Sequence, residues 1–235
     1  MPEFSKRSYQ KELLDRDDIP FRDILRNMEE LNTVNHLLGG HRITCKGIRQ
    51  IINTTHRPDD HEWLICEIGC GNGNNLAVIY EWCRSRKIKA RFIGIDINSN
   101  CIASTKPSKT GGKTTYITSD YQRVDFIQKP DIIFSSLFCH HFTDEQMTDQ
   151  LLWLKNNCIA GFFINDLHRH PLAFYSIRLL TMVFSRSYLV KNDAPLSVLR
   201  GFSESDWLRL MRSAGIDNFS IKWKWAFRWL IVIVN

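Results

Sequence analysis

Glu67-Ile68-Gly69-Cys70-Gly71-Asn72-Gly73 directly follows the apolar run Trp63-Leu64-Ile65-Cys66 and leads into a helix-like segment, Asn74 to Arg84. Strand, glycine turn and helix in that order form a nucleotide-cofactor site. Glycines at alternate positions let the backbone turn tightly and approach a ligand, while N–H groups at the helix start face it. The spacing excludes two cofactor classes. A dinucleotide fingerprint, G-x-G-x-x-G, counted from Gly69 needs glycine where Asn74 stands, and counted from Gly71 it needs glycine at Leu76. No Gly-Lys-Ser/Thr follows, so the loop is not a Walker motif either. What remains is E-x-G-x-G-x-G, an acid at the strand end followed by three glycines.

Two more carboxylates stand at later strand ends. Arg91-Phe92-Ile93-Gly94-Ile95-Asp96-Ile97-Asn98 reads as an apolar strand closing on Asp96 just before a helix start, about where a ribose-binding acid belongs. An ionised carboxylate is acceptor-only and can take hydrogen bonds from both ribose hydroxyls; the plain alternative is that Asp96 caps the next helix. Thr118-Ser119-Asp120-Tyr121 closes the strand-like stretch Thr114 to Ile117. Together these motifs resemble those of the class I S-adenosylmethionine-dependent methyltransferases. The resemblance implies S-adenosyl-L-methionine as cofactor. It assigns Glu67, Gly69, Gly71 and Gly73 to the aminoacyl end, Asp96 to the ribose, and Asp120 to the adenine amino group, with Tyr121 or Leu137 as contacts to the ring and Cys70 and Ile97 as further cofactor-binding residues.

The 235 residues are 43% hydrophobic and 24% charged, which fits an ordinary globular enzyme able to bury a full core. A net charge of +6 raises the question of nucleic acid, but the basic residues are spread along the chain and form no dense block. Seven cysteines at 45, 66, 70, 83, 101, 139 and 158 contain no C-x-x-C pair and read as reduced, buried thiols. The N-terminal residues lack an apolar signal core, and no uncharged run approaches the ~20 residues of a membrane span; a cytoplasmic location is expected.

Strand-like and helix-like segments alternate from Glu62 to about Gly215, the signature of a mostly parallel sheet with helices on both faces. Expected strands are Trp63–Ile68, Arg91–Asp96, Thr114–Thr118, Asp131–Ser135 and Gly161–Asn165. Ser203 and Asp206 then open a helix running to about Ser213, and the tail reads as two β segments, Phe219–Ala226 and Arg228–Val234. This predicts an α/β, Rossmann-like doubly wound fold with a seven-stranded sheet. By resemblance, one of its strands is antiparallel.

Two segments lie outside this core, giving an N-terminal helical cap over residues 1–58 and a core over 59–235 with an insertion at 167–202. In the cap, Ile24, Leu25, Met28, Leu31, Val34, Leu37 and Leu38 are spaced at threes and fours. The stripe either closes a sheet face or forms a lid, with Gly39-Gly40 as turn or hinge. The insertion is too long for an ordinary connection. Its apolar runs Leu172–Tyr175 and Leu179–Phe184 suit a substrate pocket, packing on the N-terminal helices, or contact with an anionic membrane surface through Arg178, Arg186 and Lys191.

The cofactor named by the resemblance carries its own electrophilic methyl group, so the protein mainly has to align a nucleophile and remove its proton. Histidine suits a hydroxyl acceptor, because its pKa of about 6.5 lets it take a proton near neutrality. Four of the eight histidines cluster at two strand ends, in Cys139-His140-His141-Phe142 and Asn165-Asp166-Leu167-His168-Arg169-His170. One of His140 and His141 is expected to act with His168, Asp166 orienting them and Arg169 holding an anionic oxygen. No metal is expected, since the carboxylate cluster that magnesium needs is missing.

Other subclasses are tested at the same strand end. Ser135-Ser136-Leu137-Phe138 replaces the Asn/Asp-Pro-Pro-Tyr/Phe box of amino-methylating nucleic-acid enzymes; no Pro-Cys nucleophile occurs; and Glu145 stands alone where arginine methyltransferases need two glutamates. Residues 60–165 and 202–235 are most similar to the small-molecule branch, the ubiquinone and menaquinone biosynthesis methyltransferases and relatives acting on phenols and polyketides. That implies a role in secondary metabolism, with methyl transfer by in-line displacement to a hydroxyl of a small apolar, aromatic or polyketide-like acceptor. An RNA-directed methyltransferase and a catalytically silent cofactor-binding protein are the alternatives.

Overall fold

β1 (Trp63–Ile68) is buried along its whole length, as a parallel strand covered on both faces must be. In this computed structural model, which describes residues 2–16 and 18–235, β1 is an inner strand of a seven-stranded sheet. Its neighbours are β2 (Ala90–Asp96) and β4 (Ile132–Ser136), both parallel to it. β3 (Thr114–Thr118) and β5 (Gly161–Leu167) follow on the two sides, then β7 (Arg228–Val234) and β6 (Ser220–Lys224), in the order β3-β2-β1-β4-β5-β7-β6. β7 is antiparallel to both neighbours and all other pairs are parallel. The chain winds outward from β1 in one direction through β2 and β3, then returns to β1's other side with β4. That reversal opens a crevice beyond the carboxyl ends of β1 and β4, where open α/β sheets bind ligands.

The observed strands match those expected from the sequence to within a few residues. β5 runs two residues further than expected because Asn165, Asp166 and Leu167 pair with Leu230, Trp229 and Arg228. β6 stops at Lys224, short of the expected Ala226, because the chain reverses over 225–227, where Phe227 takes φ +52°. The side chains alternate between two cores. Phe162 packs with Trp207 and Leu151 on one face, while Phe163 packs with Ile48, Ile51 and Leu76 on the other.

The remaining helices are α1 (Phe21–Leu37), α2 (Gly40–Thr54), α3 (Asn74–Ser85), α4 (Ser99–Ala103), α5 (Asp144–Asn157), α6 (Pro171–Phe184), α7 (Tyr188–Arg200) and α8 (Glu204–Ser213). Ser203 caps α8 and Asp206 reaches back to the Ser203 N–H, the predicted capping box. Gly39-Gly40 is a turn: Gly39 has φ +74°, and a Cβ on Gly40 would lie 1.7 Å from Asn35 Oδ1. The N-terminal stripe lies on α1, with Leu38 at its C-cap, and α2 is a separate helix beyond it. α2 packs on β5 and β7, whereas α1 rests on α2 and α7 and reaches over the crevice. The insertion forms two packed helices, α6 and α7. All seven cysteines are free and buried. Among the described residues no helix is long and apolar enough to cross a membrane.

Candidate active site

The glycine loop forms one wall of the crevice. Gly69, Gly71 and Gly73 all have positive φ, and a Cβ at Gly69 would fall 2.3 Å from the Phe138 ring, so the loop passes where no side chain fits. Glu67, at the end of β1, accepts a 2.6 Å hydrogen bond from Asn75 Nδ2 through Oε1, while Oε2 is buried with no partner among the described residues. Burial, which outweighs the Asn75 bond, pushes the Glu67 carboxyl up to about 8. Met28, Leu31, Asn32 and Asn35 of α1 face this part of the crevice across a cavity of about 150 Å³.

A second compartment of about 180 Å³ continues past Gly69 and is lined by Asp96, Ile97, Asp120, Tyr121 and Phe138. Asp96 ties the loop down: Oδ2 accepts from the Gly71 N–H at 2.8 Å and Oδ1 from the Asn98 N–H at 2.9 Å. The cap of α4 is Asn98, so Asp96 braces the loop rather than capping that helix. Burial raises the Asp96 carboxyl despite these two bonds. Asp120 caps the short turn Tyr121–Arg123 by accepting from the Gln122 N–H at 3.0 Å. Tyr121 is buried against Phe138, Phe142 and Trp153.

A third cavity, of about 350 Å³, lies on the other side of Leu137. Leu31, Asn35 and Leu137 line both this cavity and the Glu67 compartment, so the two meet at these three side chains. Leu137 is held at φ +56° with its N–H donating to the Asn165 carbonyl at 3.0 Å. A non-glycine residue in that region stores strain of about 1–3 kcal/mol, a pattern concentrated at functional sites. The cavity is mostly apolar, roofed by Ile177 and Leu180 of α6, and its polar end holds His140 and His141.

His140 and His141 sit on a short turn after β4, with ring centroids 4.4 Å apart. Asp166, fully buried, accepts from the Phe138 and Cys139 N–H groups at 3.1 and 2.7 Å and faces His140 Nδ1 at 2.7 Å. Burial alone would raise Asp166, but the charge and hydrogen bond of His140 outweigh it and hold the carboxyl below its usual value. An ionised Asp166 can only accept, so Nδ1–H is the donor and Nε2 is the nitrogen that carries the lone pair whenever the ring is neutral. Nε2 of His140 lies 3.8 Å from Glu12 Oε1, and Nε2 of His141 lies 3.9 Å from Glu12 Oε2. His141 Nδ1 meets Asp15 Oδ1 at 3.3 Å. Burial would raise Asp15, yet its hydrogen bond to His141 and that residue's charge bring the carboxyl to about 2. Burial raises Glu12. One donor atom from each of Glu12, His140 and His141 falls within 4.8 Å of the others, close enough to share a cation. Arg200 of α7 holds the histidine turn in place, donating to the His140 and His141 carbonyls at 3.1 and 2.9 Å and to the Gln10 carbonyl at 2.8 Å.

The sequence-expected residues thus fall into three groups. Glu67, Gly69, Cys70, Gly71, Asp96, Ile97, Asp120, Tyr121 and Leu137 line one continuous crevice, with Gly73 turning the chain into α3. His140, His141 and Asp166 meet at the adjoining cavity. His168 and Arg169 go elsewhere. His168 Nδ1 accepts from Trp223 Nε1 at 3.2 Å, and burial brings its imidazole down to about 4. The Arg169 guanidinium is bonded to Asp206 at 2.9 Å and to the Phe4 and Gly201 carbonyls, leaving it no part in holding an acceptor. Both lie beyond the end of β5, where the His168 N–H donates to the Phe227 carbonyl at 2.9 Å and the Arg169 N–H to the Phe202 carbonyl at 3.0 Å, so the chain has already left the strand that carries Asp166. The sequence reading missed Glu12, Asp15 and Asn35, which come from N-terminal segments with no motif. It also missed Arg228, whose one signal was a lone charge opening an apolar strand.

The pattern matches known proteins. Residues 65–156 match a family model described as a methyltransferase domain. No curated protein sequence matches the chain significantly. Among solved structures, the plantazolicin methyltransferase BamL, in complex with a triazolic desmethyl analogue and S-adenosylhomocysteine, aligns with TM-score 0.61 and 17% identity over 86% of this chain and 71% of its own. Magnesium protoporphyrin IX methyltransferase from Synechocystis PCC 6803, with bound S-adenosylhomocysteine, aligns with TM-score 0.55 and 15% identity over 92% of this chain and 100% of its own. A putative O-methyltransferase from Nostoc punctiforme PCC 73102 aligns with TM-score 0.55 and 11% identity over 82% of this chain and 57% of its own. Residues 65–156 are thus similar to a methyltransferase domain, and the chain as a whole shares the α/β fold of these solved methyltransferases.

Proposed function

We propose that this protein is an S-adenosylmethionine-dependent methyltransferase acting on a hydroxyl of a small apolar acceptor. The observation that carries this reading is the junction at Leu31, Asn35 and Leu137, where the glycine-loop crevice opens into an apolar cavity with histidines at its polar end. The crevice residues suit the cofactor. The unpartnered Glu67 Oε2 faces the compartment suited to an aminoacyl group, and each Asp96 oxygen retains a lone pair beyond its one backbone bond. Asp120 stands at the compartment suited to adenine. When bound, the cofactor supplies an electrophilic methyl group on a sulfonium.

The protein's own part is positioning and proton transfer. Asp166 fixes the His140 ring through Nδ1, so that Nε2 can take the acceptor's hydroxyl proton as the oxygen gains the methyl group. Asp166 then faces the imidazolium at Nδ1 and stabilises it, with Glu12 Oε1 3.8 Å from its Nε2. The apolar wall from α1 and α6 selects an apolar body and keeps water from the reacting oxygen. In this reading residues 1–58 and 167–202 form the acceptor-side cover. The test is a panel of phenolic and polyketide-type hydroxyl compounds assayed for transfer of a labelled methyl group, with RNA as a separate arm. Labelled ether products expected from the phenols, and abolished in His140→Ala, support the reading. Labelling of RNA alone would overturn it.

A further inference from the structure

Arg228, the first residue of β7, is 3% exposed and lines the apolar cavity. Its Nε and Nη1 are buried with no hydrogen-bond partner among the described residues. Burial brings the guanidinium down to about 10, so it stays charged at neutral pH, and the charge of Asp166 opposes that fall. Asp166 is already engaged, accepting from the N–H groups of Phe138, Cys139, His140 and Leu167. A buried guanidinium lacking a direct partner is costly, since a charge withdrawn from water needs both a counter-charge and hydrogen bonds. The planar fork of arginine matches a carboxylate in a bidentate arrangement.

Resting on the methyltransferase reading, we infer that Arg228 anchors an anionic oxygen of the acceptor, which is therefore an apolar acid rather than a neutral phenol. The apolar walls on α1 and α6 take the hydrocarbon body, and the His140 end takes the reacting oxygen. Glu12 does not oppose an anion at Arg228, because it lies at the histidine end, bonded to Ser197 and beside His140, His141 and Arg200.

The test compares 2-hydroxy-4-pentylbenzoate with its carboxamide, titrated calorimetrically into the full chain already saturated with S-adenosylhomocysteine. A charge-assisted anchor should make the acid bind roughly 10- to 100-fold more tightly than the amide. Arg228→Met should erase that preference and Arg228→Lys should keep part of it, with S-adenosylhomocysteine affinity unchanged in both. Equal binding of acid and amide, or binding of neither, by the native chain overturns the inference whatever the variants do, and leaves the methyltransferase reading standing on the prior saturation step. Failure of that step overturns both. Mass spectrometry of the product with S-adenosylmethionine separates two sources of the anchored oxygen: an ether marks the carboxylate as anchor only, and an ester marks it as the methylated group.

Discussion

At the residue scale, the proposed chemistry rests on buried carboxylates and two histidines, and burial and pairing move the carboxylates in opposite directions, Glu67 up and Asp166 down. Glu67 is more easily protonated in the folded chain than in the unfolded one, where its pKa is about 4.3. Below that value both states are protonated, and Glu67 makes no pH-dependent difference. Between there and about 8 the unfolded chain ionises first, so the stability attributable to Glu67 falls as pH rises, then levels off above 8. Glu67→Gln should therefore match the native chain in thermal unfolding near pH 4.5 and exceed it near pH 8.5, by on the order of 3–5 kcal/mol. A variant less stable than the native chain at pH 8.5 would contradict this placement of the carboxyl. His140→Ala should lower turnover by roughly 10²–10⁴ with S-adenosylhomocysteine affinity unchanged, and His168→Ala should leave turnover within about twofold. Chelation with EDTA should not change turnover; loss on chelation with recovery on added zinc would assign Glu12, His140 and His141 to a cation instead. The carboxylates at strand ends were legible in the sequence because each closes an apolar run. Glu12 was not, because it reaches the histidines only through the fold, from well over a hundred residues away in the chain.

At the scale of elements, two glycines hold the site's walls apart. Gly69→Ala places a methyl group against Phe138 at a backbone position of φ +68°, so S-adenosylhomocysteine affinity should fall at least tenfold, read by calorimetry. Gly40→Ala drives a Cβ into Asn35 at the corner between α1 and α2. Overpacking of that kind costs about 1–3 kcal/mol, and the melting temperature should drop by roughly 3–10 °C. An unchanged melting temperature would mean that α1 yields at no cost and does not hold the cavity wall. The strands were legible since β1, β4 and β5 each begin with an unbroken apolar stretch, as parallel strands buried on both faces do. The covering helices were legible only as helices: their periodicity reveals an apolar stripe, but the same stripe serves packing on the sheet, as in α2, or lining a cavity, as in α1.

At the scale of the molecule, the sheet's reversal between β1 and β4 puts the glycine-loop crevice and the apolar cavity side by side, meeting at Leu31, Asn35 and Leu137. The two sites should be separable by mutation. Asp96→Ala, which releases both the Gly71 and Asn98 N–H groups, should weaken cofactor binding first, whereas changes at His140 should act on turnover alone. The central claim is that this crevice is built for S-adenosylmethionine, and calorimetric titration of the native chain with S-adenosylmethionine, S-adenosylhomocysteine and NADH tests it most directly. The account predicts saturable binding of both sulfur compounds, lost in Asp96→Ala, and none of NADH; binding of NADH, or of neither sulfur compound, would contradict it.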